Sequence, residues 1–580
     1  MLENDEKLKN NQHKSYLQGS PTATSPMAAS PTTSSEIWSL QAEEALDDPE
    51  AGPSIPASPA DMPPPAPKKG HIQWFARDFS PGAQDCTYQM KGGSTPLEPP
   101  EYFMRYFSES VFEQLAEFTN IYSLRTSGKE LGTTPQELKV FFGILMAMEA
   151  LKYLRIRMYW QAGTRIPMVA DSMAVNRFFK IRSALHITDS NSQTDPKNCD
   201  KSWKVRPILE AVRLRCLQVE PAEENSIDEQ MVAFTGRVVA KQFVRNKPNP
   251  EGVKVFVRCS KDGVAHDFEF YQGKGTGVDP KYAHLGLGGS VVMRLVESLL
   301  KGQNLSCYFD NYFTSVRLLQ ELKTVEILGT GTIRSNRLLG CTLKSEKEMR
   351  KEERGTIDSK ISEDGDVVIV RWQDNGIVNM ASTRVRVGEK GTVKRWSEAK
   401  KEHIEIECPE VVLEYNKFMG GVDKLDFIMS LYPIRTRPKK WTVRVISHFI
   451  TFGLSNSWLE YIRDASEEGL PKKATKDMLT FQVDVAQSLI SSNKAPQKKR
   501  GRPSLETTQP SKKPHNAEAL PTNTVRYDAQ SHWPEHVRAS FAHRCRREGC
   551  KRKSRIRCRK CNVFLCLTVE NNCFLEFHTK

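Results

Sequence analysis

Apolar residues recur every three or four positions over 107–122 (FSESVFEQLAEFTNIY), a spacing that predicts an amphipathic helix. Thr134-Pro135-Gln136-Glu137 has the form of a capping box with proline at the first helical position, and it opens a second helix through LKVFFGILMAMEAL. A third run, Met173 to Ile187, carries Arg177, Lys180 and Arg182 between its apolar positions. The period then switches to two. SIDEQMVAF (226–234), VVAKQFV (238–244) and GVKVFVRC (252–259) read as strands, and Lys261-Asp262-Gly263 turns the chain into AHDFEFYQ. A helix (290–302), an apolar strand (305–313), a helix (314–323) and a strand (326–333) follow.

An antiparallel meander followed by helix–strand–helix–strand is the element order of a ribonuclease-H-like α/β domain. Strand patterns continue over 356–383, where DVVIVRWQ and GIVNMAS flank the hairpin signal Asp374-Asn375-Gly376. Helical periodicity returns over 409–432 and 441–462.

Composition changes this picture at the two ends of the chain. The 580 residues are 38% hydrophobic and 27% charged, which suits ordinary globular domains and excludes collagen-like and fully disordered classes. The longest apolar stretch, Phe141 to Leu151, is eleven residues and contains Glu149, so no bilayer span is expected. No apolar signal segment opens the chain, and a soluble intracellular protein is the expectation. Residues 1–70 hold 11 of the 33 prolines, many in Ser/Thr/Ala-Pro contexts, and are expected to be disordered. Of the net charge of +14, residues 491–580 alone contribute +13, which points to a polyanionic partner, nucleic acid first.

Three segments set an Asp in an unusual place. Asp228 interrupts the apolar face of the first strand, Asp310 ends the CYF run of the central strand, and Asp423 and Asp426 lie three apart, on one face of a helix. Carboxylates gathered from two adjacent strand ends and a helix repel one another unless divalent cations join them. A pair of Mg²⁺ or Mn²⁺ ions so held supports phosphoryl transfer.

The wording around these acids is specific. SIDEQMVAFTGR, KQFVRNKP, YFDNYFTSVRLL, GTGTIR, EERGTID, YNKFMGGVDKLD and KKW occur in this order, and together they resemble the piggyBac family of transposases and proteins derived from them. The resemblance runs from about residue 98 to the C-terminus. It implies a catalytic set of Asp228, Asp310 and Asp423 holding two Mg²⁺ (or Mn²⁺), with Asp426 as the family's additional acid. Phe427 departs from the polar amide that many members carry there.

The resemblance also implies a domain order. After a disordered, acidic, Pro/Ser-rich region (1–97), a helical dimerisation and DNA-binding domain (98–222, completed by 434–490) surrounds a ribonuclease-H-like core (223–333 and 409–433). That core is interrupted by a β-rich insertion (334–408), and a basic linker (491–529) leads to a Cys-rich zinc-binding domain (530–580). Implied too are a homodimer in the nucleus, a double-stranded DNA substrate, and cut-and-paste chemistry. The transposon ends are freed through hairpins and joined at TTAA targets. No membrane and no small-molecule substrate is expected. A domesticated DNA-binding or chromatin protein that keeps the fold without transposing is the alternative.

The tail carries its own chemistry. Cys545, Cys550, Cys558, Cys561, Cys566, Cys573 and His578 supply seven soft ligands, and so short a segment requires metal to fold. Eight ligands would close two tetrahedral Zn²⁺ sites. Family members carry a histidine at the position of His532, with His536 and His543 as competitors for the eighth place. A crossed pairing of ligands is expected, though spacing does not assign it. In the linker, Lys498, Lys499, Arg500 and Arg502 (KKRGR) form either an A·T minor-groove hook or a nuclear-localisation tract, and both readings imply DNA or the nucleus.

Overall fold

The computed structural model describes residues 72–579 apart from 78–85, 90–94, 190–199, 246, 248, 274–275, 385–390, 399, 435–439, 493–519 and 539. Lys498, Lys499, Arg500 and Arg502, and nearly all of the N-terminal Pro-rich region, lie outside the described residues.

The first helices are α1 (Pro99–Tyr106), α2 (Glu109–Ser127), α3 (Pro135–Leu151), a single turn α4 (Pro167–Ala170), α5 (Val175–Ala184) and α6 (Arg206–Gln218). At the head of α3 the Thr134 hydroxyl accepts the Glu137 N–H at 3.1 Å, as the motif predicts. The reciprocal half of the box is not made. The Glu137 carboxylate instead takes the Nε–H of Arg177 on α5 at 2.6 Å and the Thr133 hydroxyl at 2.8 Å. A guanidinium is a stronger partner for a carboxylate than a neutral amide. The later helices are α10 (Glu410–Phe418), α11 (Gly421–Leu431), α12 (Trp441–Glu467) and α13 (Met478–Ser491), and one apolar core joins α1, α2, α3, α5 and α6 to α11, α12 and α13. Asn456 of α12 binds both backbone groups of Ala265, its Oδ1 accepting at 2.7 Å and its Nδ2 donating at 3.0 Å. It stands in for the missing neighbour of the edge strand β5.

Ten of the described strands form one mixed sheet. They are β1 (Trp74–Phe75), β2 (Glu224–Ala233), β3 (Lys241–Phe243), β4 (Glu251–Ser260), β5 (Ala265–Phe270), β6 (Leu305–Phe309), β7 (Ile327–Thr332), β8 (Ile357–Ser362), β9 (Val368–Gln373) and β10 (Ile377–Ser382). The central order is β5–β4–β2–β6–β7, with β2–β6 and β6–β7 parallel and the others antiparallel. Helices α7 (Gly286–Leu295) and α8 (Val316–Thr324) cover one face around Leu305, Phe309 and Ile327.

Beyond β7 the sheet continues, since β10 pairs with it antiparallel and β9 and β8 follow. Three of the strands in 334–408 are therefore continuous with the core sheet. The segment opens with the single turn α9 (Glu346–Met349), and β11 (Gly391–Ser397) and β12 (Glu402–Cys408) form a separate hairpin. β1 lies inside the region expected to be disordered, yet it pairs with β8, and the Trp74 indole donates to Leu339 O at 3.2 Å. Apolar Ile72, Trp74 and Tyr88 pack against the sheet's core and hold this stretch.

A small module follows. It comprises α14 (Asn523–Arg526), the strand pairs β13 (Pro534–His536) with β16 (Ile556–Cys558) and β14 (His543–Arg544) with β15 (Lys553–Ser554), and α15 (Cys573–His578). Val525 is buried against Ile121 and Leu124 of α2. Among the described residues no helix is long and apolar enough to cross a membrane.

Candidate metal centres

The first centre lies where β6 ends and its parallel pairing with β2 stops, midway along β2. Ile227 of β2 is in register with Phe309 of β6, so the next residue of each strand, Asp228 and Asp310, emerge side by side. The chain leaves β6 there, four residues earlier than the periodicity predicts, because the Asp310 carboxylate accepts the Tyr312 N–H at 2.9 Å and caps the turn. Glu229 joins them: ligand oxygens of Asp228, Glu229 and Asp310 all lie within 4.8 Å of one another.

Helix α11 brings the remaining acids close by. It starts at Gly421, where a Cβ would stand 2.4 Å from both Ser226 Oγ and Ser260 O, so only glycine lets the helix approach β2 and β4 this closely. Asp423 is exposed in the first turn of α11 and outside the group of three, though its charge reaches Asp228. Asp426 also lies outside the group of three. The Asp426 carboxylate is taken by the side-chain amide of Gln230, one of the bonds that ties α11 to β2.

The electrostatics are those of a crowded acid set. Burial, then the charges of Glu229 and Asp310, holds Asp228 well above the ordinary carboxyl range. Burial, with Glu229 second, pushes Asp310 up to about 6 against the opposing Tyr312 N–H, Lys247 and Arg334. Burial pushes Asp426 up to about 6 despite the Gln230 bond. Among the described residues Lys247 is the cation that tempers Asp228, Asp310, Asp423 and Asp426 alike, standing 3.4 Å from Glu229. Hard, clustered oxygens with excess negative charge suit a divalent cation such as Mg²⁺ or Mn²⁺. Sequence reasoning missed Glu229, although it adjoins Asp228, and Lys247, although it lies in KQFVRNKP.

The second centre is the small module. All eight expected ligands assemble, in two groups: His532, Cys558, Cys561 and His578, and Cys545, Cys550, Cys566 and Cys573. The groups interleave along the chain, which is the crossed pairing. His536 and His543 join neither group, and His543 stacks on Phe564 at 4.2 Å. Cys550 Sγ lies 3.8 Å from Cys573 Sγ and 4.0 Å from Cys566 Sγ. A tetrahedron with metal–sulfur bonds of about 2.3 Å has edges of about 3.8 Å.

The histidines are oriented to match. His532 Nε2 donates to Asp528 Oδ1 and Val525 O, both at 3.0 Å, which leaves Nδ1 as an acceptor 3.5 Å from the sulfurs of Cys558 and Cys561. His578 Nδ1 donates to Phe574 O at 2.7 Å, and its buried Nε2 has no hydrogen-bond partner. A buried lone pair left over beside two thiols and an imidazole fits a metal ligand. Apart from the ligands, the buried apolar residues that pack among them are, among the described residues, Val563, Leu565, Phe574 and Phe577.

Comparison with known proteins decides the family. The Transposase IS4 family model matches residues 98–458. The human PiggyBac transposable element-derived protein 3 is 30% identical over 513 residues, covering 86% of this chain and 80% of that protein. The chain belongs to the piggyBac transposase family. A second human member, PiggyBac transposable element-derived protein 2, is 29% identical over 501 residues, 84% of this chain and 77% of its own length. A solved piggyBac transposase, imaged by electron cryo-microscopy as a synaptic complex with hairpin DNA, matches with a TM-score of 0.60 at 22% identity. The match covers 82% of this chain and 99% of that one, a similarity of fold.

Proposed function

We propose that this piggyBac-family chain is a metal-dependent DNA transposase that cleaves and joins DNA by a cut-and-paste route through hairpin ends, with TTAA as its target. The observation that carries the reading is the meeting of Asp228 and Glu229, midway along β2, with Asp310, just past the end of the parallel strand β6. The order β5–β4–β2–β6–β7, with an antiparallel trio followed by two parallel strands, supports a ribonuclease-H-like core for that site. Two bound Mg²⁺ or Mn²⁺ ions would supply an activated water or 3′-hydroxyl and stabilise the leaving oxygen. Asp228 and Asp310, with Glu229 or Asp423, are the residues that would hold them.

The chain's own groups prepare that site. The Tyr312 N–H fixes the Asp310 carboxylate, and the close approach at Gly421 sets α11, with Asp423 in its first turn, beside the strand ends. Lys247 offsets part of the negative charge. Two Zn²⁺ ions in the interleaved Cys/His groups would staple the C-terminal module, whose Lys and Arg residues suit a DNA backbone. A nuclear homodimer acting on transposon ends completes the proposal, and the solved relative bound to hairpin DNA supports DNA as the partner. The names of the human relatives, transposable element-derived proteins, favour a second reading in which the chain binds DNA without transposing.

The two readings separate in one experiment. Purified protein with Mg²⁺ and a donor bearing the cognate ends should excise the donor through hairpins and insert it at TTAA. Binding of the ends without any strand cleavage would favour the second reading.

A further inference from the structure

Gln230 sits on β2 two residues beyond Asp228 and is buried. Its amide nitrogen donates to the Asp426 carboxylate of α11 and lies 3.3 Å from Met429 Sδ, while its Oε1 is 2.8 Å from Nε2 of His448 on α12. The polarity of this chain follows from donor and acceptor chemistry. An ionised carboxylate only accepts, so the Gln230 NH₂ faces Asp426, and its Oε1 is left for His448. His448 Nε2 must then carry the proton. Burial, with the charge of Arg444, lowers the His448 pKa to about 3, so a neutral imidazole donates this bond. Donation runs from His448 through Gln230 to Asp426.

These three residues belong to three elements, α12 of the helical body, β2 of the sheet and α11. The bond from Gln230 holds the Asp426 carboxylate, which lies outside the Asp228–Glu229–Asp310 group. Asp423 precedes Asp426 by three residues on the same helix, so whatever fixes the rotation of α11 fixes Asp423. Sites of this kind tolerate only about 0.5 Å or 10–20° of misplacement. We propose that His448 and Gln230 are positioning residues that clamp Asp426 as the anchor of α11 and thereby set Asp423 against the acid group. The inference rests on the metal-dependent reading above, and it gives Asp426 the role of an anchor.

The test is Mn²⁺ binding to the full-length protein by calorimetry, counting the sites that Asp310→Asn abolishes. His448→Leu should weaken that binding about 10- to 100-fold, the range found for outer partners of metal ligands. His448→Gln, whose amide can still donate to Gln230, should restore it. Thermal unfolding of both variants checks that each is folded. Wild-type affinity in His448→Leu overturns the clamp, as does equal weakening in His448→Leu and His448→Gln. A wild-type chain with no Mn²⁺ site sensitive to Asp310→Asn overturns both the clamp and the metal-dependent reading.

Discussion

Replacing Asp310 by Asn should make the metal-free protein more stable at neutral pH, although it removes a residue proposed for catalysis. Burial and Glu229 raise the Asp310 carboxyl from 3.8 to about 6. The native state therefore binds the proton more tightly than the unfolded chain does, and stability falls as pH rises from about 4 to about 6. The cost is absent below the unfolded pKa and complete above the folded one. A displacement of this size corresponds to about 3 kcal/mol. Asn keeps an oxygen to accept the Tyr312 N–H and carries no charge, so it should recover much of that energy. Denaturant unfolding in chelator at pH 7.5 should show the gain, and at pH 3.5 the two proteins should coincide. Saturating Mg²⁺ should stabilise wild type and leave the variant unmoved. Equal or lower stability of Asp310→Asn at pH 7.5 in chelator would refute the reasoning.

Other consequences are as direct. Cys558→Ser should cost the module metal-linked folding energy of about 10–16 kcal/mol. Its zinc content should fall below two per chain and trypsin should cut between 530 and 580; two zinc ions and full resistance would contradict this. Gly421→Ala forces a Cβ against Ser226 and Ser260 and should cost about 1–3 kcal/mol, read by thermal unfolding, with a loss of Mn²⁺ affinity as α11 retreats. Val525→Asp buries an unpaired charge between Ile121 and Leu124, at a cost of about 3–5 kcal/mol. It should free the module and enlarge the radius of gyration in small-angle scattering. An unchanged scattering profile would count against that docking.

Elements governed by local chemistry were legible. Thr134 does cap α3, and Asp374-Asn375-Gly376 does join β9 to β10, with Gln373 paired to Ile377. The Cys and His residues of the module's two groups were recognisable by type and spacing, His532 included through the resemblance, but their pairing is set by how the strands of the module cross, which no spacing encodes. Other features depend on contacts distant in sequence. β1 is two residues long and exists because β8, nearly three hundred residues away, offers an edge. Glu137 leaves its capping role because Arg177 comes within reach only in the folded chain. Asp423 and Asp426 share a helix, yet Gln230 gives them separate surroundings. Glu229 and Lys247 gain meaning only once β2 and the end of β6 lie side by side.

The central claim is that the acids gathered on β2 and at the end of β6 hold divalent cations for DNA strand cleavage. The most direct measurement is nicking of DNA carrying the cognate ends by purified wild type and Asp310→Asn, in Mg²⁺ and in chelator, with end binding measured on the same samples. The account predicts Mg²⁺-dependent nicking by wild type, none by Asp310→Asn, and equal DNA binding by both. Nicking by Asp310→Asn at the wild-type rate would contradict it.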